Sequence, residues 1–216
     1  QLLDESMINN LLISFLAFDF SGENVVMSNI SCDKHGLEFG DNHLRAITIV
    51  DPEQMNLANS MATFKPADGA ISNYPSDNFS FLLNIPDAHT VLYNQAVFIP
   101  DQLKIKKDLE LKKKRHSSMP DPENQLSVKD IDEMFLDIAQ NNELIVKAHY
   151  SILVYAPHDK IAKACNYVET NLFGLGIIPG RNSYNQMVLY RAAIPGNADE
   201  LKIWDKFTVS RPASLC

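Results

Sequence analysis

Cysteine is scarce in this chain. Cys32, Cys165 and Cys216 are the only three in 216 residues, and no two stand at Cys-x-x-Cys spacing. That excludes a disulfide-stapled miniprotein and suits a reducing compartment, so a cytosolic face is the expectation. Glycine and proline number eight and eleven without a period, which removes collagen-like and proline-rich disordered classes. Long apolar runs are missing too. The most apolar early stretch, Leu11 to Phe18, is too short to span a bilayer, and it follows Asp4 and Glu5 rather than a basic segment, so neither a signal peptide nor a transmembrane helix is read. No Gly-x-x-x-x-Gly-Lys-Ser/Thr string occurs. The nearest glycine clusters, Gly174-Leu175-Gly176 and Pro179-Gly180-Arg181, read as a helix end and a turn. The six histidines include no His-x-x-x-His pair, so no metal site is expected and packed or solvated imidazoles are the reading.

What is present is an ordinary globular composition, 45% hydrophobic and 21% charged with a net charge of −8. At this length one two-layer domain or two small ones should bury roughly 70% of the unfolded chain's surface. The chain begins at Gln1 without an initiator Met and stops just after an apparent strand, which gives the expectation of a piece of a longer protein.

Hydrophobic patterning suggests an α+β fold of mixed or antiparallel sheets with packed helices, and a ferredoxin-like split βαβ portion in the second half. Residues 1–87 read as a β-rich amino-terminal subdomain, with strands at Val25–Met27 and Leu44–Val50, a short helix at Met55–Met61 and a loop over Lys65–Asn78. Residues 88–216 read as an α+β subdomain. Ala88–Ile99 is a central strand, and Ser127 opens a helix with Val128, Ile131, Met134, Phe135 and Ile138 on one face. Leu144–Tyr155 is a long strand. A helix with the stripe Ile161, Ala164, Cys165, Val168 and Leu172 follows, ending at a left-handed Gly174. Leu175–Ile178 is a short strand, Tyr184–Ala192 a helix and Phe207–Val209 a last strand.

Chemistry-bearing residues are few. Leu103–His116 holds seven Lys or Arg against Asp108 and Glu110, a net +5 that leaves −13 for the rest. It can be a solvated helix or a contact for anionic lipid. Nucleic acid is disfavoured by the acidic remainder and by the lack of interleaved aromatics. Its contact candidates are Lys106, Lys107, Lys112, Lys113, Lys114 and Arg115. Cys165, on a buried stripe, acts there as a small apolar residue. Ile194-Pro195-Gly196-Asn197 ends a helix, since proline prevents continuation while glycine and asparagine tolerate positive φ.

That quartet resembles the Leu-Pro-Gly-Asn signature of the conjugative-transfer ATPases that energise type IV secretion, the TraG-type family. Ile194 for Leu is a swap of similar volume. Thr208–Leu215 resembles the family's small-residue run towards its ATPase core, and Leu44–Pro52 and Tyr93-Asn94-Gln95 match its amino-terminal layout in kind. The specific likeness covers Tyr184–Leu215. It implies an amino-terminal docking and assembly domain at the inner face of the membrane, with inner-membrane secretion components as partners and self-association in the full protein. ATP and Mg²⁺ would belong to a core beyond Cys216, so no cofactor and no catalytic residue is carried onto this chain. The competing reading is a stand-alone small-molecule enzyme with a site drawn from Asn94, Gln95, His149 or Cys165.

Overall fold

The computed structural model describes residues 4–22, 25, 27–49, 62–64, 74–76, 79–119, 121–142, 144–182, 184–198 and 207–209. The fold is α+β. It divides into two compact units, Gln1–Gln95 with Tyr150–Lys202 and Ala96–His149 with Ile203–Cys216. The boundary expected at 87/88 falls inside the first unit, because strands distant in sequence pair there.

In the first unit, α1 (Glu5–Ala17) is capped by Asp4, whose carboxylate accepts from the Met7 N–H at 2.8 Å. The helix replaces the strand-rich start expected from sequence. It ends at Phe18 in the left-handed region, φ 53°, an arrangement that costs a bulky residue about 1–2 kcal/mol. Burial offsets that cost, since the Phe18 ring lies against Phe20 and Tyr155. Then come β1 (Ile30–Cys32), β2 (Leu37–Phe39) and β3 (Asn42–Ile49), an antiparallel meander. Val25 and Met27 are outside any strand, and Val26 lies outside the described residues. The helix expected at Met55–Met61 lies outside them as well, apart from the question of its neighbours: β4 (Ala62–Phe64) pairs antiparallel with β5 (Tyr74–Ser76), which places a short strand within the expected loop. A 3-10 turn, Ser80–Asn84, precedes β6 (Thr90–Phe98).

Later in the chain, β7 (Ile145–Pro157) pairs antiparallel with one edge of β3, and α4 (Ile161–Gly174) carries the chain to β8 (Pro179–Arg181), which pairs antiparallel with the other edge. Two strands antiparallel to the same neighbour are parallel to each other. β7–α4–β8 is therefore a split βαβ unit whose intervening strand comes from the first half of the chain. The strand path is β1-β2-β3-β7-β6, with β8 on β3. β6, expected to be central, stands at the end of this path among the described residues.

The five residues expected on the α4 stripe are all buried. The left-handed glycine is Gly176, φ 78°, not Gly174: Gly176 and Ile177 donate back to Phe173 and Leu172, so the helix runs two residues further and displaces the short strand to Pro179–Arg181. The last helix, α5 (Gln186–Ala193), buries Leu189, Tyr190, Ala192 and Ala193, and the Tyr190 hydroxyl donates to the Leu16 carbonyl at 2.7 Å.

The second unit holds α2 (Gln102–Ser117), α3 (Pro122–Asn141), the first residues of β7 and β9 (Phe207–Val209), which pairs with them. Helix α3 starts five residues before Ser127. Asp121 caps it and Pro122 occupies the first turn, where a missing N–H costs nothing. Ile105 and Leu109 of α2, Ile131 of α3 and Ile145 form its core, with Met134, Phe135 and Ile138 packed against them.

Candidate functional site

The resemblance quartet is a type II turn. Asn197 donates its N–H to the Ile194 carbonyl at 3.0 Å, Pro195 takes the first central position and Gly196 the second at φ 84°. The Asn197 side chain then turns back and donates to the Arg191 carbonyl at 2.9 Å, alongside the Ile194 N–H that the same carbonyl accepts at 3.2 Å, which ties the turn to the end of α5. Each of the last three residues thus has a conformational task, while Pro195 and Gly196 stay exposed.

On the basic helix, Ile105 and Leu109 face the core. Lys104, Lys107, Lys112, Lys114 and Arg115 are exposed, and none of them makes an ion pair among the described residues. Lys106 is half-buried. Lys113 pairs with Asp132 of α3, which takes it out of the free set. Leu103 and Leu111, 75% and 49% exposed, stand among these cations.

The cavity that Cys165 lines is bordered by none of Asn94, Gln95 or His149. Asn94 lies beside Ser151 with its amide 3.5 Å from the hydroxyl, and Gln95 has a partner of its own. His149 belongs to the second unit, where burial lowers its pKa. Cys165 lines a cavity of about 230 Å³ with Arg45, Ile47, Glu169, Asn182 and Gln186, but burial pushes its thiol up to about 11. A thiol that stays protonated near neutrality is a poor nucleophile.

One cluster escaped the sequence reading. His43 on β3 stands opposite Glu38 on β2, and His158 follows β7 on the far side of β3. The two Nδ1 atoms are 3.1 Å apart. One donor atom from each of Glu38, His43 and His158 lies within 4.8 Å of the other two. His43 is 1% exposed, and its Nε2 faces Asp33 Oδ1 at 3.9 Å. Burial lowers the His43 pKa, with the Arg45 charge adding to it and the Asp33 carboxylate opposing. No motif spacing could have found a pair 115 residues apart.

No protein-family model matches the chain, and the comparison with curated proteins returns no match.

Proposed function

We propose that this chain is a docking and assembly domain of a type IV secretion ATPase, coupling the motor to inner-membrane components at the cytoplasmic face of the membrane. The observation that carries the docking role is the outer face of α2, where Leu103 and Leu111 lie among Lys104, Lys107, Lys112, Lys114 and Arg115 with no acidic partner among the described residues. Apolar side chains amid free cations fit an anionic surface, by burial of the leucines and attraction of the charges. The link to the secretion motor rests on the likeness of Ile194-Pro195-Gly196-Asn197 to the family signature, and the exposed turn is a rigid surface feature of the kind a partner can read. No helix among the described residues is long and apolar enough to cross a membrane, so association with it is peripheral in this reading. ATP and Mg²⁺ would be bound outside these residues, and self-association would accompany assembly.

The test is flotation with vesicles containing phosphatidylserine against neutral vesicles. The chain should float only with the anionic ones. Each basic residue near such a surface is worth about 1 kcal/mol, so reversing Lys107, Lys112, Lys114 and Arg115 to Glu should weaken binding by on the order of a thousandfold. Equal flotation of the reversed variant would remove the membrane-facing role. Calorimetry with ATP should show no binding, and tight binding would favour the enzyme reading instead.

A further inference from the structure

The geometry points to a divalent transition-metal site of the Zn²⁺ class formed by His43, His158 and Glu38. Three adjacent strands deliver these ligands to one place: β2 brings Glu38, β3 brings His43 directly opposite it, and the turn after β7 brings His158. Two imidazoles with a carboxylate suit Zn²⁺ and its neighbours in hardness, and they leave a fourth position for water. Two nitrogens bound to a tetrahedral ion at about 2.0–2.1 Å would be separated by about 3.3 Å, close to the 3.1 Å between the two Nδ1 atoms. In the absence of an ion the same separation fits one N–H shared between the rings, so the cluster is preformed in either state.

The surroundings match what a ligating histidine needs. His43 offers Nδ1 to the cluster while its Nε2, buried and without a hydrogen-bond partner among the described residues, faces the Asp33 carboxylate. At 3.9 Å Asp33 makes no hydrogen bond to the ring, but its negative charge favours a cation held on the ring's other nitrogen. Asp33 is itself fixed, because its Oδ1 accepts the N–H groups of His35 and Gly36 at 2.6 and 2.7 Å. Glu38 is held likewise by Ser31, whose hydroxyl donates to Oε2 at 2.8 Å. Gly36 leaves room for the ring: a Cβ there would stand 2.6 Å from His43 Nε2. Glu38 is half-buried and His158 exposed, so the ion has a path from solvent. Arg45, two residues along the same strand, is the cation that the Glu38 and Asp33 carboxylates must outweigh.

The site stands independently of the docking role. The full chain, stripped with chelator, is titrated with Zn²⁺ alone by calorimetry and with Co²⁺ by visible absorption. One ion per chain should bind, with intense Co²⁺ bands of low coordination number and a rise in Tm. His158→Ala and Glu38→Gln act at exposed and half-buried positions and should leave the fold intact by circular dichroism. Each should lower affinity at least as much as the 10–100-fold typical of losing an outer partner, and Asp33→Asn, which keeps the turn acceptor but removes a nearby negative charge, should cost less than either. Three results overturn the site: no saturable binding by folded wild-type chain, affinity unchanged in both ligand variants, or a loss in His158→Ala with none in Glu38→Gln. Vesicle flotation should be unaffected by any of these substitutions.

Discussion

Both compact units place a glutamine at the first residue of a helix and use its amide to complete a strand, yet the two are buried to different depths. In the first unit, β2 pairs with β3 as far as Leu44 and β8 begins at Ile47, which leaves Ala46 on that edge without a strand neighbour. Gln186 fills the break: its Oε1 accepts the Ala46 N–H at 2.7 Å and its Nε2 donates to the Ala46 carbonyl at 3.3 Å and the Asn182 carbonyl at 2.8 Å. In the second unit Gln102 does the same for Ile145, accepting its N–H and donating to its carbonyl, both at 2.9 Å. Gln186 is 2% exposed, whereas Gln102 is half-buried. The same hydrogen bonds should therefore matter more in the first unit, where water cannot replace a lost partner.

The largest expected effect is that of Gln186→Leu, which strands the buried Ala46 N–H, leaves the Ala46 carbonyl only the Asn182 amide at 3.5 Å and takes a donor from the Asn182 carbonyl. At about 1–3 kcal/mol per orphaned group, urea unfolding should show a loss of about 2–4 kcal/mol. Gln102→Leu should cost about 1–2 kcal/mol: Ile145 is as buried as Ala46, but Gln102 itself is half-buried, so water can enter the place its amide leaves. Losses of equal size would mean that depth does not separate the two. Gly36→Ala sharpens the picture of the first unit: the added methyl meets the Leu44 carbonyl at 2.5 Å, a backbone atom that cannot swing aside, and the loss should be about 1–3 kcal/mol.

Alkali gives a contrast that needs no loss of packing. Burial raises Cys165 to about 11 and Tyr190 to about 12, and both lie in the first unit. Above the ordinary thiol pKa the unfolded chain releases protons that the folded chain retains. Stability is thus whole below about pH 9 and falls as pH rises towards 12. Near-ultraviolet circular dichroism against pH should show that fall, and Cys165→Ala should flatten its lower part; an unchanged profile would mean that the thiol does not contribute. The smallest effect belongs to the basic helix, where reversing Lys107, Lys112, Lys114 and Arg115 should change unfolding free energy by no more than about 0.5 kcal/mol per site, since none is paired among the described residues.

Where a signal is local, the sequence carried it well. The α4 stripe of Ile161, Ala164, Cys165, Val168 and Leu172 is buried because a helix returns to one face every three or four residues. β-branched runs placed β3 and β7 to within a few residues, and Phe207–Val209 is a strand as expected. The failures share a cause as well. Helix α1 was obscured by an apolar run whose period is ambiguous over so short a length, and the helix expected to open at Ser127 begins at Pro122, since a proline in the first turn starts a helix as readily as it ends one. β6 has the composition of a central strand but stands at the end of the described path, because composition reports burial of faces and not the number of neighbours.

Periodicity, capping and turn chemistry act over a few residues, so the order of elements from β6 onward, the α+β class and the turn at Ile194–Asn197 were determined by the sequence itself. Which strands became neighbours was settled only in three dimensions. The split βαβ unit borrows β3 from the first half of the chain, Gln186 finds Ala46 across 140 positions, and His158 meets His43 across 115. Such meetings depend on which faces can be buried together once the chain has collapsed, and no spacing along the chain encodes that choice.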